Sequence, residues 1–238
     1  MAQKTVLITG CNRGIGKGLL KIYLAKPNHL LIAAVRDPNH PTSKALVDLR
    51  KAEGTSLIVV KNDATVPTDA ASMVKELASK GIDYIDIVIA NAGAAYRWCK
   101  VSEVTAEDIQ RHVVPNVHGF IWLYQATLPL LKKSEDPIWV TIGDMIEFKN
   151  AAYAPTKAVQ HWYTRSISLE EKWLTAFPID PGWAQTDIGQ RGADAFGIET
   201  AQISVEQSTQ GVVKVIDAVT RETHSGKNWV WDGRQVPW

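Results

Sequence analysis

Short runs of apolar, mostly β-branched residues recur along the chain, and longer segments with helical periodicity separate them. Each run has the length and composition of a buried strand. The runs are TVLIT (5–9), LLIAAV (30–35), SLIVV (56–60), YIDIVIA (84–90), IWVTI (138–142) and WLTAFPI (173–179). Strands that alternate with helices predict a parallel sheet with helices on both faces. The sequence therefore predicts a doubly wound α/β fold.

The chain has the size of one large domain. Its 238 residues are 45% hydrophobic, which is enough for a single sizeable core. No Pro/Gly/Ser-rich linker and no repeat divides it, so we expect one domain over residues 1–238. Pro115 lies inside the longest helical segment, 105–133, and should kink or split that helix. The segment NWVW (228–231) is expected as the last edge strand.

Composition favours a small-molecule partner. With 26 Lys and Arg against 25 Asp and Glu, the formal charge is +1, which predicts no binding of nucleic acid or of an acidic membrane. The N-terminus lacks the pattern of a signal peptide, and no apolar run reaches the ~18 residues of a membrane span. Cys11 and Cys99 have no disulfide framework around them and are interpreted as structural thiols of a reducing compartment. We therefore expect a cytoplasmic protein.

The first predicted strand ends in TGCNRGIG, directly before an apolar-periodic helix. Gly10, Gly14 and Gly16 allow the backbone to turn tightly and to approach a pyrophosphate. The negative charge would then lie at the positive end of the helix dipole, with free N–H groups pointing at it. This position predicts a dinucleotide site, although the spacing differs from the common G-x-G-x-x-G pattern.

TGCNRGIG resembles the T-G-x-x-x-G-x-G turn of the short-chain dehydrogenase/reductase family, and the resemblance extends over essentially the whole chain. It implies a Rossmann-type fold, and it assigns cofactor contacts to the turn and to three later segments, KNDAT, ANAG and DPGWAQTDIG. The implied cofactor residues are Gly10, Asn12, Arg13, Gly14, Ile15 and Gly16 in the turn, then Asp63, Ala64, Asn91, Gly93, Pro181, Gly182, Trp183 and Thr186.

The second predicted strand ends in AVRDP, which bears on the choice of nicotinamide cofactor. An acid here would bind a ribose 2′-hydroxyl, whereas an arginine accepts a 2′-phosphate. Arg36 comes first, while Asp37 precedes Pro38 and is better placed to begin a turn. Arg13 adds a second cation. The sequence favours NADP(H), with NAD(H) as the alternative.

Tyr153 and Lys157 are four residues apart, which places them on one face of a helix. Carbonyl reduction needs a proton donor that works at neutral pH, and a free tyrosine has a pKa near 10. An ammonium in a partly dry site can lower that pKa, and Lys157 is the candidate. The family resemblance implies that Tyr153 and Lys157 also contact the cofactor, and that Asn116 anchors a water that joins Lys157 to solvent.

Asp144 stands where the family has a serine that binds the substrate oxygen. An ionised Asp144 near Tyr153 would raise the tyrosine pKa and oppose Lys157. We consider three states: Asp144 is protonated and donates a hydrogen bond; it points away, leaving Tyr153 to act with Thr141 or a water; or it stays anionic because the substrate is an imine or iminium. A further alternative is that Asp144 is a surface loop residue with no role.

The C-terminal third is similar to fungal ketoreductases of aromatic polyketides such as norsolorinic acid ketoreductase. Segment 187–204 lacks a strong period and is expected to form a mobile lid. Four aromatic residues are expected to face the pocket and to suit a bulky, flat substrate: Tyr96, Trp98, Trp183 and Phe196.

The histidines form no metal-binding pattern, so no metal is predicted. His112, His118 and His161 are expected on helix surfaces or at subunit contacts. By analogy with the family, helices near 105–131 and 152–171 would pair subunits into a homo-dimer or tetramer.

The leading hypothesis is an NADPH-dependent reductase of a ketone on a bulky aromatic or polycyclic secondary metabolite. Tyr153 would be the acid, Lys157 its activator, Asn116 the relay anchor and Asp144 a substrate contact. One alternative is an imine or iminium reductase, which could also guide a cyclisation. The other is an NADPH-binding sensor without activity.

Overall fold

The computed structural model describes residues 3–144 and 150–238. Its centre is an eight-stranded sheet in the order β3-β2-β1-β4-β5-β6-β7-β8. The strands are β1 Lys4–Thr9, β2 His29–Val35, β3 Ser56–Lys61, β4 Ile87–Ala90, β5 Ile138–Ile142, β6 Thr175–Asp180, β7 Asn228–Val230 and β8 Gln235–Val236. All neighbouring pairs are parallel except β7 and β8, which are antiparallel. The predicted doubly wound fold is confirmed.

The helices lie on both faces of the sheet. They are α1 Gly14–Leu24, α2 Pro41–Lys44, α3 Asp69–Ser79, α4 Ala106–Val113, α5 Gly119–Leu131, α6 Ala154–Glu170, α7 Asp187–Phe196, α8 Val205–Asp217 and α9 Arg221–His224. Because successive strand residues point to opposite faces, the sheet contributes to two cores. One contains Val6 and Ile8 with side chains of α1 and α8, and the other contains Leu7 with side chains of α3, α5 and α6.

Pro115 divides the long helical segment as predicted, although the chain stays helical across the break. Residues Val114–His118 form a π-helical turn between α4 and α5, closed by a hydrogen bond from the Gly119 N–H to the Val114 carbonyl. Such turns are frequent at functional sites because they displace side chains from the α-helical register. Asn116 lies in this turn.

One expectation at the C-terminal side was wrong. The strand at 228–230 is not the edge of the sheet, because residues 235–236 return after a tight turn and pair with its outer side. The first ten residues of segment 187–204 form α7, which Thr186 caps through its hydroxyl and Gly197 ends in a left-handed conformation. That this segment acts as a mobile lid stays a prediction.

Candidate active site

A cavity of about 550 Å³ opens where the carboxyl ends of β1, β4, β5 and β6 meet. This is the point at which the strand order reverses, where doubly wound sheets bind ligands. Of the site residues predicted from the sequence, all line this cavity except Asn116, which lies behind it. Residues far apart in the chain therefore converge on one space.

The glycine-rich turn between β1 and α1 leaves the start of α1 open towards the cavity. Arg13 occupies the N-cap position without a side-chain hydrogen bond to the helix, and the first turn contains no acid. Gly10 and Gly14 have positive φ, at 65° and 52°. A Cβ at Gly16 would collide with the Gly10 carbonyl and the Asn91 amide. The turn is thus a close-packed cradle whose free N–H groups fit a pyrophosphate.

The rim beside the cradle carries the residues that bear on cofactor choice. Asp37 begins a turn, as predicted, because its Oδ1 accepts the Asn39 N–H at 2.8 Å. Arg36 is exposed at the cavity rim. Arg13 is already paired with Asp187 at 3.1 Å, in an exposed contact that contributes little to stability. Asn12 donates to the Thr42 hydroxyl at 2.7 Å and so joins the cradle to α2.

The floor of the cavity is fixed by hydrogen bonds between β1 and the loop after β4. Asn91 Nδ2 donates to the Thr9 carbonyl at 2.8 Å, and the Thr9 hydroxyl accepts from the N–H groups of Asn91 and Ala92. The side chain of Asn91 therefore holds the loop after β4 against the end of β1, and Asn91 also lines the cavity. Asp63 and Ala64 form the neighbouring wall, with Asp63 accepting from Thr65.

Asn116 is fully buried and acts as a hydrogen-bonding bridge. Its Oδ1 accepts the Ala94 N–H at 2.8 Å, and its Nδ2 donates to the Ala94 carbonyl and the Thr156 hydroxyl, both at 2.9 Å. The side chain thereby joins the loop after β4 to the start of α6. Its main-chain carbonyl accepts a hydrogen bond from the Gln160 side chain.

Tyr153 and Lys157 lie together at the inner end of the cavity, and Lys157 Nζ is 5.8 Å from the centre of the tyrosine ring. Burial raises the pKa of Tyr153 well above 10, and the charges of Asp144 and Asp180 raise it further. Burial lowers the pKa of Lys157 to about 8, against an opposing effect of Asp144. The chain's own groups thus raise the Tyr153 pKa instead of lowering it towards neutrality, contrary to expectation, because burial disfavours the charged phenolate and two nearby carboxylates add to that effect.

Asp144 follows β5 and lines the cavity with Tyr153. Its predicted effect on the Tyr153 pKa is confirmed in direction. Thr141, by contrast, does not reach the cavity. It is fully buried, and its hydroxyl pairs with Thr164 at 2.7 Å and accepts from Trp139 at 3.0 Å. The state in which Tyr153 acts with Thr141 is therefore excluded by geometry.

The opposite wall comes from the turn after β6 and from α7. Gly182 has a φ of 72°. Its N–H donates to Asp180, while the Pro181 carbonyl accepts from Ser208. Trp183 donates to the Gly189 carbonyl at 3.0 Å and packs edge-on to Phe196. All four aromatic residues predicted to face the pocket line it: Tyr96, Trp98, Trp183 and Phe196.

Two of the three histidine expectations were wrong, since only His118 is exposed. His112 is fully buried, accepts the Tyr96 N–H at 2.9 Å and contacts the Asp108 carbonyl at 2.6 Å. His161 is 7% exposed, its pKa is lowered to about 4 by burial and by Lys157, and its Nε2 has no partner in the part of the chain that the structure describes. His161 lies one helical turn after Lys157 and His112 lies on α4, and helical spacing in the sequence does not show which face of either helix other elements cover.

Sequence reasoning also missed residues that support the site. Gln160 bonds Lys157, Thr156 bonds Asn116, and Asn150 accepts from the N–H of Tyr153. Gln160 lies one helical turn after Lys157, so its spacing from Lys157 could have identified it as a neighbour. No sequence pattern pointed to Asn150 or Asp180.

Within residues 3–144 and 150–238, no group of three or more His, Cys, Asp or Glu could hold a metal ion. No helix in those ranges is long and apolar enough to cross a bilayer.

Comparison with known proteins gives consistent relatives. A family model described as short chain dehydrogenase matches residues 4–195. Norsolorinic acid ketoreductase of Dothistroma septosporum is 41% identical over 99% of this chain and 93% of its own length. The norsolorinic acid ketoreductase of Aspergillus parasiticus is 36% identical over 99% and 92%. The crystal structure of an NADPH-bound carbonyl reductase from chicken fatty liver superposes with a TM-score of 0.85 over 100% of both chains, at 24% identity.

Proposed function

The chain belongs to the short-chain dehydrogenase family, and on this premise we propose that it is an NADPH-dependent reductase of a ketone on a bulky aromatic or polycyclic secondary metabolite. The observation that carries the proposal is the convergence of Tyr153, Lys157 and the open start of α1 on one cavity. Relatives named for a ketoreductase at 41% and 36% identity support the reaction class. The four aromatic side chains of the wall support a flat substrate.

NADP(H) fits the residues of the cavity, and when bound it would supply the hydride. The cradle of α1 would hold the pyrophosphate through backbone N–H groups. Arg36 is the principal candidate for the 2′-phosphate, because Arg13 already has an ion pair with Asp187. The carbonyl reductase structure that superposes on the whole chain has NADPH bound, which supports this choice, and NADH is the competing cofactor in the test.

The chain's own part in the reaction is to deliver a proton and to stabilise the charge left behind. A raised Tyr153 pKa keeps the phenol protonated at neutral pH, which is the form that donates to the substrate oxygen during reduction. Oxidation of an alcohol would need the phenolate, which the same burial disfavours. Lys157 is a cation beside the phenol, and its ammonium stabilises the phenolate that forms.

Asp144 changes the pKa of Tyr153 and the pKa of Lys157 in the same direction. It raises the pKa of Tyr153 and that of Lys157, so it favours their protonated forms. We assign it a contact to the substrate. The imine alternative draws on the same residue, because a carboxylate near the reacting atom would stabilise a protonated imine.

The test is NADPH consumption with aromatic ketones and with cyclic imines, repeated with NADH. Tyr153→Phe should lower kcat on ketones at least ~100-fold and leave NADPH binding intact. Tyr163→Phe is the matched control, because Tyr163 lies on the same helix and is 38% exposed. Asp144→Ser should retain or increase ketone turnover.

Two outcomes would overturn the proposal. If Asp144→Asn abolishes imine turnover while Tyr153→Phe spares it, the protein is an imine reductase. If NADPH binds but neither substrate class is consumed, the sensor hypothesis is correct.

A further inference from the structure

The side of Lys157 that faces away from the cavity makes a defined contact with another buried side chain. Lys157 and Gln160 are each 2% exposed. Lys157 Nζ donates to the main-chain carbonyl of Ile142 at 2.8 Å and to Gln160 Oε1 at 3.0 Å. Gln160 Nε2 in turn donates to the main-chain carbonyl of Asn116. One amide therefore spans from the ammonium to the π-helical turn.

The orientation of this amide follows from its neighbours. An ammonium can only donate hydrogen bonds and a main-chain carbonyl can only accept them. Rotating the Gln160 amide by half a turn would place its NH₂ against the ammonium and its oxygen against a carbonyl, which loses both bonds. Only one orientation of the Gln160 amide gives hydrogen bonds to both the Lys157 ammonium and the Asn116 carbonyl. A buried polar group left unpaired here would cost free energy.

We propose that Gln160 is a positioning residue that fixes the Lys157 ammonium and occupies the place of the water expected between Lys157 and Asn116. The inference rests on the proposed function. An amide accepts on one side and donates on the other, but it does not pass a proton, because transfer would require its high-energy imidic acid form. A proton therefore does not pass from solvent to Lys157 through Gln160 and Asn116, and Tyr153 regains its proton from the cavity side.

Lys157 titrates in a range that makes this role measurable. The charged and titratable groups around it are Tyr153 and His161 on its own helix, Asp144 after β5 and Asp180 at the end of β6. Burial brings the Lys157 pKa to about 8. Since activity needs the ammonium, kcat/KM should fall as pH rises through this value. Removing the Gln160 acceptor should shift this alkaline limb of the pH profile of kcat/KM.

The experiment compares Gln160→Leu and Gln160→Glu with wild type. Leucine has a similar volume but no hydrogen bond, so the alkaline limb should move down by about one pH unit, with kcat reduced about tenfold. Glutamate adds a charge beside the ammonium, so the limb should move up by about one unit or more. Thr164→Val is the matched control. It removes the buried hydroxyl pair between α6 and β5 and a hydrogen bond to the Gln160 main-chain carbonyl, but it leaves the Gln160 side chain and its bond to Lys157 in place.

A second readout does not need turnover. Lys157 has a folded pKa of about 8 against 10.5 for a free lysine, so the unfolded chain binds the extra proton between these values and stability rises with pH there. This rise should begin at lower pH in Gln160→Leu and at higher pH in Gln160→Glu, measured by urea unfolding.

If the onset of the stability rise in both variants coincides with wild type, the inference is wrong, whatever the activity. If the onsets move as expected but wild type consumes no NADPH with any ketone, the proposed function fails while the contact of Gln160 with Lys157 stands. A shift of the limb in Thr164→Val equal to that in Gln160→Leu would also overturn the inference, because it would show a general loss of packing.

Discussion

Asp144 and Thr141 show how single residues decide the chemistry of the cavity. Thr141 carries the hydroxyl that the sequence places in β5, yet it is buried and paired with Thr164. Asp144, which the family resemblance aligns with a serine, does line the cavity. Because it favours protonation of both Tyr153 and Lys157, an acid at this position is compatible with reduction.

His161 should make the protein sensitive to mild acid. Its pKa is lowered from 6.5 to about 4 by burial and by Lys157. The unfolded chain therefore binds a proton in this window that the folded chain does not, so stability is full above pH 6.5 and is lost as pH falls towards 4, by ~3 kcal/mol in total.

Urea unfolding at several pH values between 7.5 and 5 checks this prediction. His161→Phe removes the titrating group and should flatten the decline in the free energy of unfolding. His118→Phe, at an exposed position, should decline like wild type. An equal decline in His161→Phe and wild type would contradict the prediction.

At the scale of elements, the start of α5 packs against the loop after β3, and that loop forms part of the cavity wall. Gly119 begins α5, and a Cβ there would collide with the carbonyl and side chain of Ala64. Ala64 lines the cavity, and the family resemblance implies that it contacts the cofactor. An alanine would favour a helix interior by ~1 kcal/mol over glycine, but the collision opposes that gain.

Gly119→Ala should therefore destabilise the fold by ~1–3 kcal/mol and weaken NADPH binding about tenfold or more. Thermal unfolding and fluorescence titration with NADPH measure the two effects. Gln125→Ala, at an exposed position of α5, is the control and should change neither. Normal NADPH affinity in Gly119→Ala would contradict the coupling.

At the scale of the whole molecule, α4 and α6 carry exposed apolar side chains. Trp162 is 64% exposed, Leu169 59% and Ile109 43%. Trp162 and Leu169 are seven residues apart on α6 and so share one helix face, and an exposed apolar face is typical of a surface that binds a partner. We expect a second copy of the chain to cover them, in a dimer or tetramer.

Trp162→Asp should lower the mass measured by light scattering to that of a smaller assembly. A charge buried at an interface without a partner is strongly unfavourable. Val47→Asp is the control, because Val47 is 58% exposed and lies after α2. A wild-type chain that is monomeric at micromolar concentration would contradict this expectation.

The sequence by itself determined the fold class, the glycine cradle and the Tyr153–Lys157 pair. These features depend on residues close together in the chain, through strand and helix periodicity, backbone dihedral angles and the helical repeat. The turn at Asp37 and the helix break at Pro115 also depend only on residues close together in the chain.

Only the tertiary structure decided the contacts between distant segments. Gln160 bonds Asn116 across 44 residues, and Thr141 bonds Thr164 across 23. The burial of His112 and His161, and the pairing of β8 outside β7, are of this kind. Periodicity shows that a helix has an apolar face, but it does not specify which neighbour covers that face. For this reason the electrostatics of Tyr153, set by burial and by Asp144 and Asp180 from two other strands, could not be predicted from the spacing of Tyr153 and Lys157 alone.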